Sequence, residues 1–171
     1  MTDGISWVGI SGSWRISSPD LESDVRRDIM TLIRHGKGMV SGGALGVDFI
    51  ATDEALRHDV TGQRITIILP TSLAIYRAHY RRRAAEEVIT HRQAEALIAQ
   101  LEEVRRRNPS SLIEMGATVC NEETYYARNT RVVEFAHELL AYQVNGSLGT
   151  ADTITKAMEH GIPVTHRIYT I

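Results

Sequence analysis

Three short stretches of small residues have the composition to hold an anion, and each follows an apolar run: Gly9–Arg15 (GISGSWR), Ser41–Asp48 (SGGALGVD) and Asn145–Thr150 (NGSLGT). A turn built from glycine and serine exposes backbone N–H groups, and a helix that starts directly after it adds the positive end of its dipole. Together these make a seat for phosphate. The candidate binding residues are Gly9, Ser11, Gly12, Ser13 and Arg15 in the first stretch, Ser41, Gly42, Gly43, Ala44, Gly46 and Asp48 in the second, and Gly146, Ser147, Gly149 and Thr150 in the third. Asp48 either belongs to the seat or fixes the glycine turn by accepting backbone hydrogen bonds. Glu122 is the best-placed carboxylate for acid or base work, although a carboxylate at a helix start is also explained by the dipole alone. Cys120 reads as a small buried hydrophobe, because no helix start, histidine or basic cluster in sequence would lower its pKa.

Other chemistries find no pattern. The seven histidines (35, 58, 79, 91, 137, 160 and 166) have no HxH or HExxH spacing, so no metal site is expected. No glycine loop ends in Lys followed by Ser or Thr, and the GxGxxG spacing is not met, which argues against ATP hydrolysis and nicotinamide-dependent hydride transfer. With one cysteine there is neither a disulfide framework nor a thiolate-rich metal site.

The elements that must position these loops follow from the hydrophobic pattern. Ile5–Ile10 reads as a strand, and Ser18 and Pro19 as the cap and first position of a helix carrying Val25, Ile29, Leu32 and Ile33 inward until Gly36. Lys37–Ser41 supplies a second strand and the glycine loop a second helix starting near Gly46. The β-branched run Ile65–Leu69 is a strand buried on both faces, ended by Pro70. Residues 73–116 read as a charged helical insertion, with Leu97, Leu101 and Val104 at helical spacing available to pack or to form a dimer face. A short strand at Ala117–Cys120, a helix from about Thr124 to His137 carrying Arg128 and Asn129, a strand at Leu139–Val144, a helix capped by Thr150 and a last strand, Ile162–Tyr169, near a sheet edge complete the chain. Successive βα units imply a parallel sheet, and in such a sheet the loops at the carboxyl ends of the strands share one rim. The three small-residue loops all sit there.

The chain has 171 residues, 43% apolar and 23% charged, which suits one domain spanning 1–171 with a sizeable core. No apolar run approaches the roughly 18 residues of a membrane span, and no secretory leader pattern opens the sequence, so a cytoplasmic protein without membrane partners is expected. The net charge of −2 argues against bulk electrostatic attachment to nucleic acid. Arginine nevertheless supplies seventeen of the nineteen basic residues, only Lys37 and Lys156 being lysine, and Arg81–Arg83 and Arg105–Arg107 form local clusters with Tyr76 and Tyr80 as the nearby stacking candidates.

At its loops the sequence resembles a known superfamily. SGGALGVD is similar to the SGxAxGxD signature of DprA/Smf proteins. TSLAIYRAHYRR resembles the segment after the third strand of that family, and Arg128-Asn129 its RN pair. GSLGT resembles the GGxGT motif of LOG proteins, which cleave the N-glycosidic bond of nucleoside monophosphates. Both belong to the SLOG superfamily, and the likeness covers about Ile5 to Val164. It implies an α/β fold, a Rossmann-like three-layer sandwich with a mostly parallel sheet of about six strands, helices on both faces and the 73–116 helical insertion. Leu45 stands where the DprA pattern has an arginine. Thr153 stands where the LOG pattern has glutamate, and Asp152, one position earlier, is rotated about 100° around the helix. What the two patterns share is a nucleotide or sugar-phosphate crevice with Arg128 and Asn129 placed at an anion.

Three functions follow as expectations. The first is a binder of a nucleotide or nucleotide derivative, requiring no cofactor, with the ligand held mostly by backbone. The second is a phosphoribohydrolase or N-glycosidase, with Arg128 holding phosphate and Asp152 or Glu122 assisting the leaving base. The third is a DprA-like binder of single-stranded nucleic acid through the arginine clusters. A homodimer or higher homo-oligomer is expected by analogy with the related families.

Overall fold

The computed structural model describes residues 4–171, so residues 1–3 of the expected domain lie outside the described part. Six parallel strands form one sheet in the order β4-β3-β2-β1-β5-β6. The strands are β1 (Trp7–Gly12), β2 (Gly38–Ser41), β3 (Ile65–Thr71), β4 (Leu112–Ala117), β5 (Glu138–Val144) and β6 (Val164–Tyr169). Between them run α1 (Pro19–Arg34), α2 (Val47–His58), α3 (Leu73–Ala85), α4 (His91–Arg107), α5 (Glu122–Phe135) and α6 (Leu148–His160). This is the α/β, Rossmann-like three-layer fold expected from the sequence.

Side-chain alternation along the strands builds two cores. Val8, Ile10, Met39, Ile67 and Leu69 point to the face covered by α1, α2, α3 and α4. Trp7, Val40 and Ile68 point to the opposite face, where Val132 and Ala136 at the end of α5 pack, and Leu139 and Ala141 meet Ile154 and Ala157 of α6. Strands apolar on both faces are what helices on both sides of a parallel sheet require.

Several expected boundaries move. β1 runs two residues further, to Gly12, because Ser11 and Gly12 pair with Ala141 and Tyr142 of β5. Pro70 does not end β3; it sits where the β3–β4 register shifts between Leu69 and Thr71, and a break in the ladder is where a residue without an N–H is tolerated. The fourth strand is Leu112–Ala117 rather than Ala117–Cys120, since Leu112 and Ile113 are the residues that pair with Ile67 and Ile68. The charged segment therefore contains α3, α4 and a sheet strand. α5 begins at Glu122, two residues before the expected start, behind an Asn121–Thr124 capping box. α6 starts directly after Ser147, which places Thr150 inside the helix rather than at its start. Leu97, Leu101 and Val104 are buried in the main core beside Ala51 and Ala55 of α2, so they offer no dimer face.

β1 is the pivot of this topology. The chain steps outward from it through β2, β3 and β4, then returns through α5 to place β5 on its other side. The connections after β1 and β5 consequently leave toward opposite faces, and the gap between them is the natural ligand crevice of such a sheet. Among the described residues no helix is long and apolar enough to cross a membrane.

Candidate functional site

A cavity of about 630 Å³ opens at the carboxyl ends of the strands around that gap. All three small-residue loops reach it: Ser11, Gly12 and Ser13 from β1 and its turn, Gly42, Ala44 and Asp48 from the turn after β2, and Ser147, Gly149 and Thr150 from the start of α6. α5 supplies the remaining wall with Glu122, Arg128 and Asn129.

The glycines of these loops have different work. A side chain on Gly12 would collide with Val47 at the start of α2, and one on Gly42 would collide with the guanidinium of Arg128. Gly42 is thus a glycine because a side chain from across the sheet lies flat on its backbone. Gly43 and Gly46 have positive φ (65° and 77°), and both face protein rather than cavity: Gly43 packs on Ile67 and Leu69, and Gly46 abuts the Ser13 carbonyl. Neither lines the cavity, and nor does Ser41, whose buried hydroxyl accepts the Gly43 N–H at 3.4 Å. Gly9 lies within β1 against Leu139 and Ala136, and Gly146 forms the turn before Ser147 without lining the cavity. Arg15 points away, donating at 2.8 Å to the Val88 carbonyl in the α3–α4 connection, while its neighbour Trp14 faces the cavity.

Arg128 is the most informative side chain. Only 7% exposed, it donates to the Gly42 carbonyl and, at 3.2 Å, to Asn129 Oδ1, with its guanidinium 5.4 Å from the centre of the Tyr125 ring. Among the described residues it enters no ion pair. A buried charge with no carboxylate in contact is costly, so the position favours an incoming anion. Asp48, 8% exposed, accepts the Ala44 N–H at 3.2 Å. Burial pushes its carboxyl up to about 6, against the pull of the Arg128 guanidinium and the Ala44 and Gly42 N–H groups.

Two helices that begin at the cavity, α2 and α6, have no side-chain cap. The other four are capped by Ser18, Ser72, Thr90 and Asn121. At α6 the Ser147 hydroxyl donates to Thr150 Oγ1 at 2.8 Å, which leaves the first-turn N–H groups without a side-chain acceptor. Asp152 does not line the cavity; its carboxylate accepts from Asn129 at 3.1 Å and Lys156 at 2.8 Å, joining α5 to α6. Glu122 stands exposed at the mouth as the first residue of α5.

The opposite wall is aromatic, and of its residues only Tyr80 is among the stacking candidates read from the sequence. Tyr80, His79 and Arg83 come from α3, and Tyr125 and Tyr126 from α5. His79 Nδ1 accepts from Arg82 at 3.4 Å and its Nε2 lies 3.2 Å from the Tyr125 hydroxyl; burial and the charges of Arg82 and Arg83 lower its pKa. Burial raises the phenols of Tyr80 and Tyr125 and the thiol of Cys120, which also lines the cavity. The sequence signal for this wall was helical spacing: His79 and Arg83 are one turn apart, as are Tyr125 and Asn129. Tyr76, expected to stack on a base, is buried and donates to the Gly43 carbonyl at 3.0 Å. The arginine clusters are engaged as well: Arg81 binds Glu95, Arg83 binds Glu86, and Arg106 and Arg107 share Glu103.

The family model for DNA recombination-mediator protein A matches residues 3–168. The chain belongs to that family. The likeness to DprA/Smf carried by SGGALGVD is met, and the SLOG-type fold has solved counterparts. DNA processing protein A from Helicobacter pylori, studied for its single-stranded DNA binding mode, superimposes with a TM-score of 0.68 at 20% identity over 96% of this chain. This chain spans 66% of that protein's length. The molybdenum cofactor binding protein of Rippkaea orientalis gives a TM-score of 0.63 at 17% identity, covering 98% of this chain and 78% of its own. The molybdenum cofactor carrier protein of Chlamydomonas reinhardtii gives 0.57 at 15%, covering 95% and 75%. At these identities the likeness is one of fold. A search of curated proteins by sequence finds no significant match.

Proposed function

We propose that this DprA-family domain binds a small phosphorylated ligand of the nucleotide kind in the cavity between β1 and β5. The observation that carries the reading is the buried, unpaired guanidinium of Arg128, laid over Gly42 and facing a space of about 630 Å³. The N–H groups at the start of α6 supply a second set of donors to the same anion. Tyr80, Tyr125 and Tyr126 give a flat ring surfaces on which to stack. Two neighbours in fold bind a molybdenum cofactor, which fits a crevice of this kind serving as a carrier.

Binding of single-stranded nucleic acid is the second reading, favoured by family membership and by the Helicobacter neighbour. In that reading Arg128 meets one backbone phosphate, while the ion-paired arginines of α3 and α4 contribute little. The N-glycosidase reading has weaker support, since Asp152 is tied to Lys156 and Asn129 outside the cavity wall.

Thermal unfolding against a panel of nucleoside mono-, di- and triphosphates, their unphosphorylated nucleosides and short single-stranded oligonucleotides tests the reading. Occupancy raises stability as RT ln(1 + [L]/Kd), and the shift is expected with phosphorylated compounds only. No shift from any phosphorylated compound would sink it. Release of free base from a nucleoside monophosphate, abolished in Arg128→Ala, would move the assignment to the enzyme. Affinity for an oligonucleotide that falls steeply with salt would move it to nucleic acid.

A further inference from the structure

The cavity wall holds two buried charged groups, and they are of opposite sign. Arg128 comes from α5 and Asp48 from the first turn of α2. They form no ion pair within contact distance, but both line the cavity that a ligand would enter, and the Arg128 guanidinium acts on the Asp48 carboxylate. An anion drawn to Arg128 meets the Asp48 carboxylate at the same time. Inside a cavity of low dielectric that repulsion is large, and the cheapest relief is a proton on Asp48.

The other groups around Asp48 are neutral or held elsewhere, and the cavity's histidine, His79, has its ring engaged by Arg82 and Tyr125. From α3 it is faced by the phenol of Tyr80, neutral throughout the physiological range. The turn after β1 is joined to the start of α2 by the Val47 N–H to Ser13 carbonyl bond, and it directs its charged side chain, Arg15, away to Val88. α4 meets α2 through the uncharged Gln100, which donates to the Phe49 carbonyl. Further along α2, Asp53 and Glu54 are held by Arg26. The Ala44 N–H that Asp48 accepts and the nearby Gly42 N–H are neutral donors, too little to fix a buried carboxylate in its ionised form against an added negative charge.

We propose that anion binding in this cavity is coupled to proton uptake by Asp48, so that affinity rises as pH falls through the neutral range. The inference rests on the anion-site reading above and adds its regulation. In the empty cavity Asp48 is largely ionised at neutral pH and shares the field of Arg128. In the occupied cavity it is protonated, and the guanidinium acts on the anion alone. The carboxyl titrating at about 6 when the cavity is empty is in the right range for this exchange.

The probe is inorganic sulfate, which stays a dianion across the range, so that any pH dependence belongs to the protein. Its dissociation constant is measured at about pH 6 and pH 8 from amide chemical shifts, for the wild type, Asp48→Asn and His79→Gln. Calorimetry near pH 7 in two buffers of different ionisation enthalpy counts the protons taken up per sulfate. For the wild type, affinity should weaken by about tenfold or more from pH 6 to pH 8, with close to one proton taken up. Asp48→Asn keeps an oxygen for the Ala44 N–H and should bind with a flat profile and no proton uptake. His79→Gln removes the cavity's histidine and should keep the slope. The wild-type proton count stands by itself should the Asn variant fold poorly. Sulfate binding that is equal at both pH values, a slope retained in Asp48→Asn, or a slope lost in His79→Gln each overturns the coupling and leaves the anion site in place. No sulfate binding at either pH removes the anion site and the coupling with it.

Discussion

Arginine appears in two settings in this molecule, and the contrast separates charge that is displayed from charge that is available. Along α3 and α4 the guanidinium groups of Arg77, Arg81, Arg83 and Arg106 are exposed or half-exposed, that of Arg107 is partly exposed, and each pairs with a glutamate on or next to the same helix or on the adjacent one. Exposed pairs of this sort contribute little and are screened by salt. Arg128 stands alone, buried against a glycine carbonyl and a tyrosine ring with no carboxylate in contact. By count the first region is the basic one. By electrostatic capacity the second is, because desolvation raises the worth of an unpaired charge and a neighbouring glutamate cancels it.

Breaking the second setting should have the largest effect. Arg128→Gln keeps the size and polarity of the side chain and removes its charge; affinity for the phosphorylated ligand should drop by about 100-fold, near 3 kcal/mol, in an equilibrium titration. A change of less than about threefold would place the anion elsewhere.

Asp48 tests the other half of the contrast through pH. Its folded pKa, about 6, lies above the ordinary aspartate value of 3.8, so the folded state binds the proton more tightly than the unfolded chain does. The stability that Asp48 contributes is therefore full below about pH 4 and is lost as pH rises through 6. Relative to wild type, Asp48→Asn should gain on the order of 2 to 3 kcal/mol on going from pH 4 to pH 7, read from denaturant midpoints at both pH values. A constant difference between the two proteins would refute it.

Gly42→Ala attacks the contact between the loop and Arg128. The new methyl group collides with the guanidinium, so the side chain must leave the Gly42 carbonyl. Stability should fall by about 2 kcal/mol, visible as a lower Tm, and ligand affinity should fall with it.

The smallest effects belong to the displayed arginines. Arg81→Gln and Arg106→Gln should each change stability by less than about 0.5 kcal/mol and ligand affinity by less than about twofold. A large loss of binding from either would erase the distinction between the two settings.

Much of the fold was legible in the sequence, for identifiable reasons. Ser18, Pro19 and the spacing from Val25 to Ile33 announced α1, and Ile65–Leu69 announced a strand buried on both sides. β4 was displaced because LIEMGA carries apolar residues only at intervals and follows an Asn-Pro break; its identity is set by pairing with Ile67 and Ile68, which sequence spacing does not record. Within the site, the glycine and serine loops declared themselves by composition. The division of labour among them did not: Gly12 and Gly42 line the cavity, whereas Gly43 and Gly46 serve the backbone beneath it.

The sequence by itself determined the alternation of strands and helices, the small-residue turns after β1, β2 and β5, and the residues available to meet an anion. These depend on local preference and on periodicity, which a linear chain carries in full. Tertiary structure alone decided that Arg128 lies on Gly42, 86 positions away along the chain, that it has no carboxylate partner, and that Asp48 shares its cavity. Arg77 and Arg81 found their glutamates across the gap between α3 and α4 in the same way, whereas Arg106 and Arg107 pair with Glu103 within one turn of their own helix. Whether a charge is cancelled depends on what stands within a few ångströms in space, and the strand order that returns β5 to the side of β1 sets that distance.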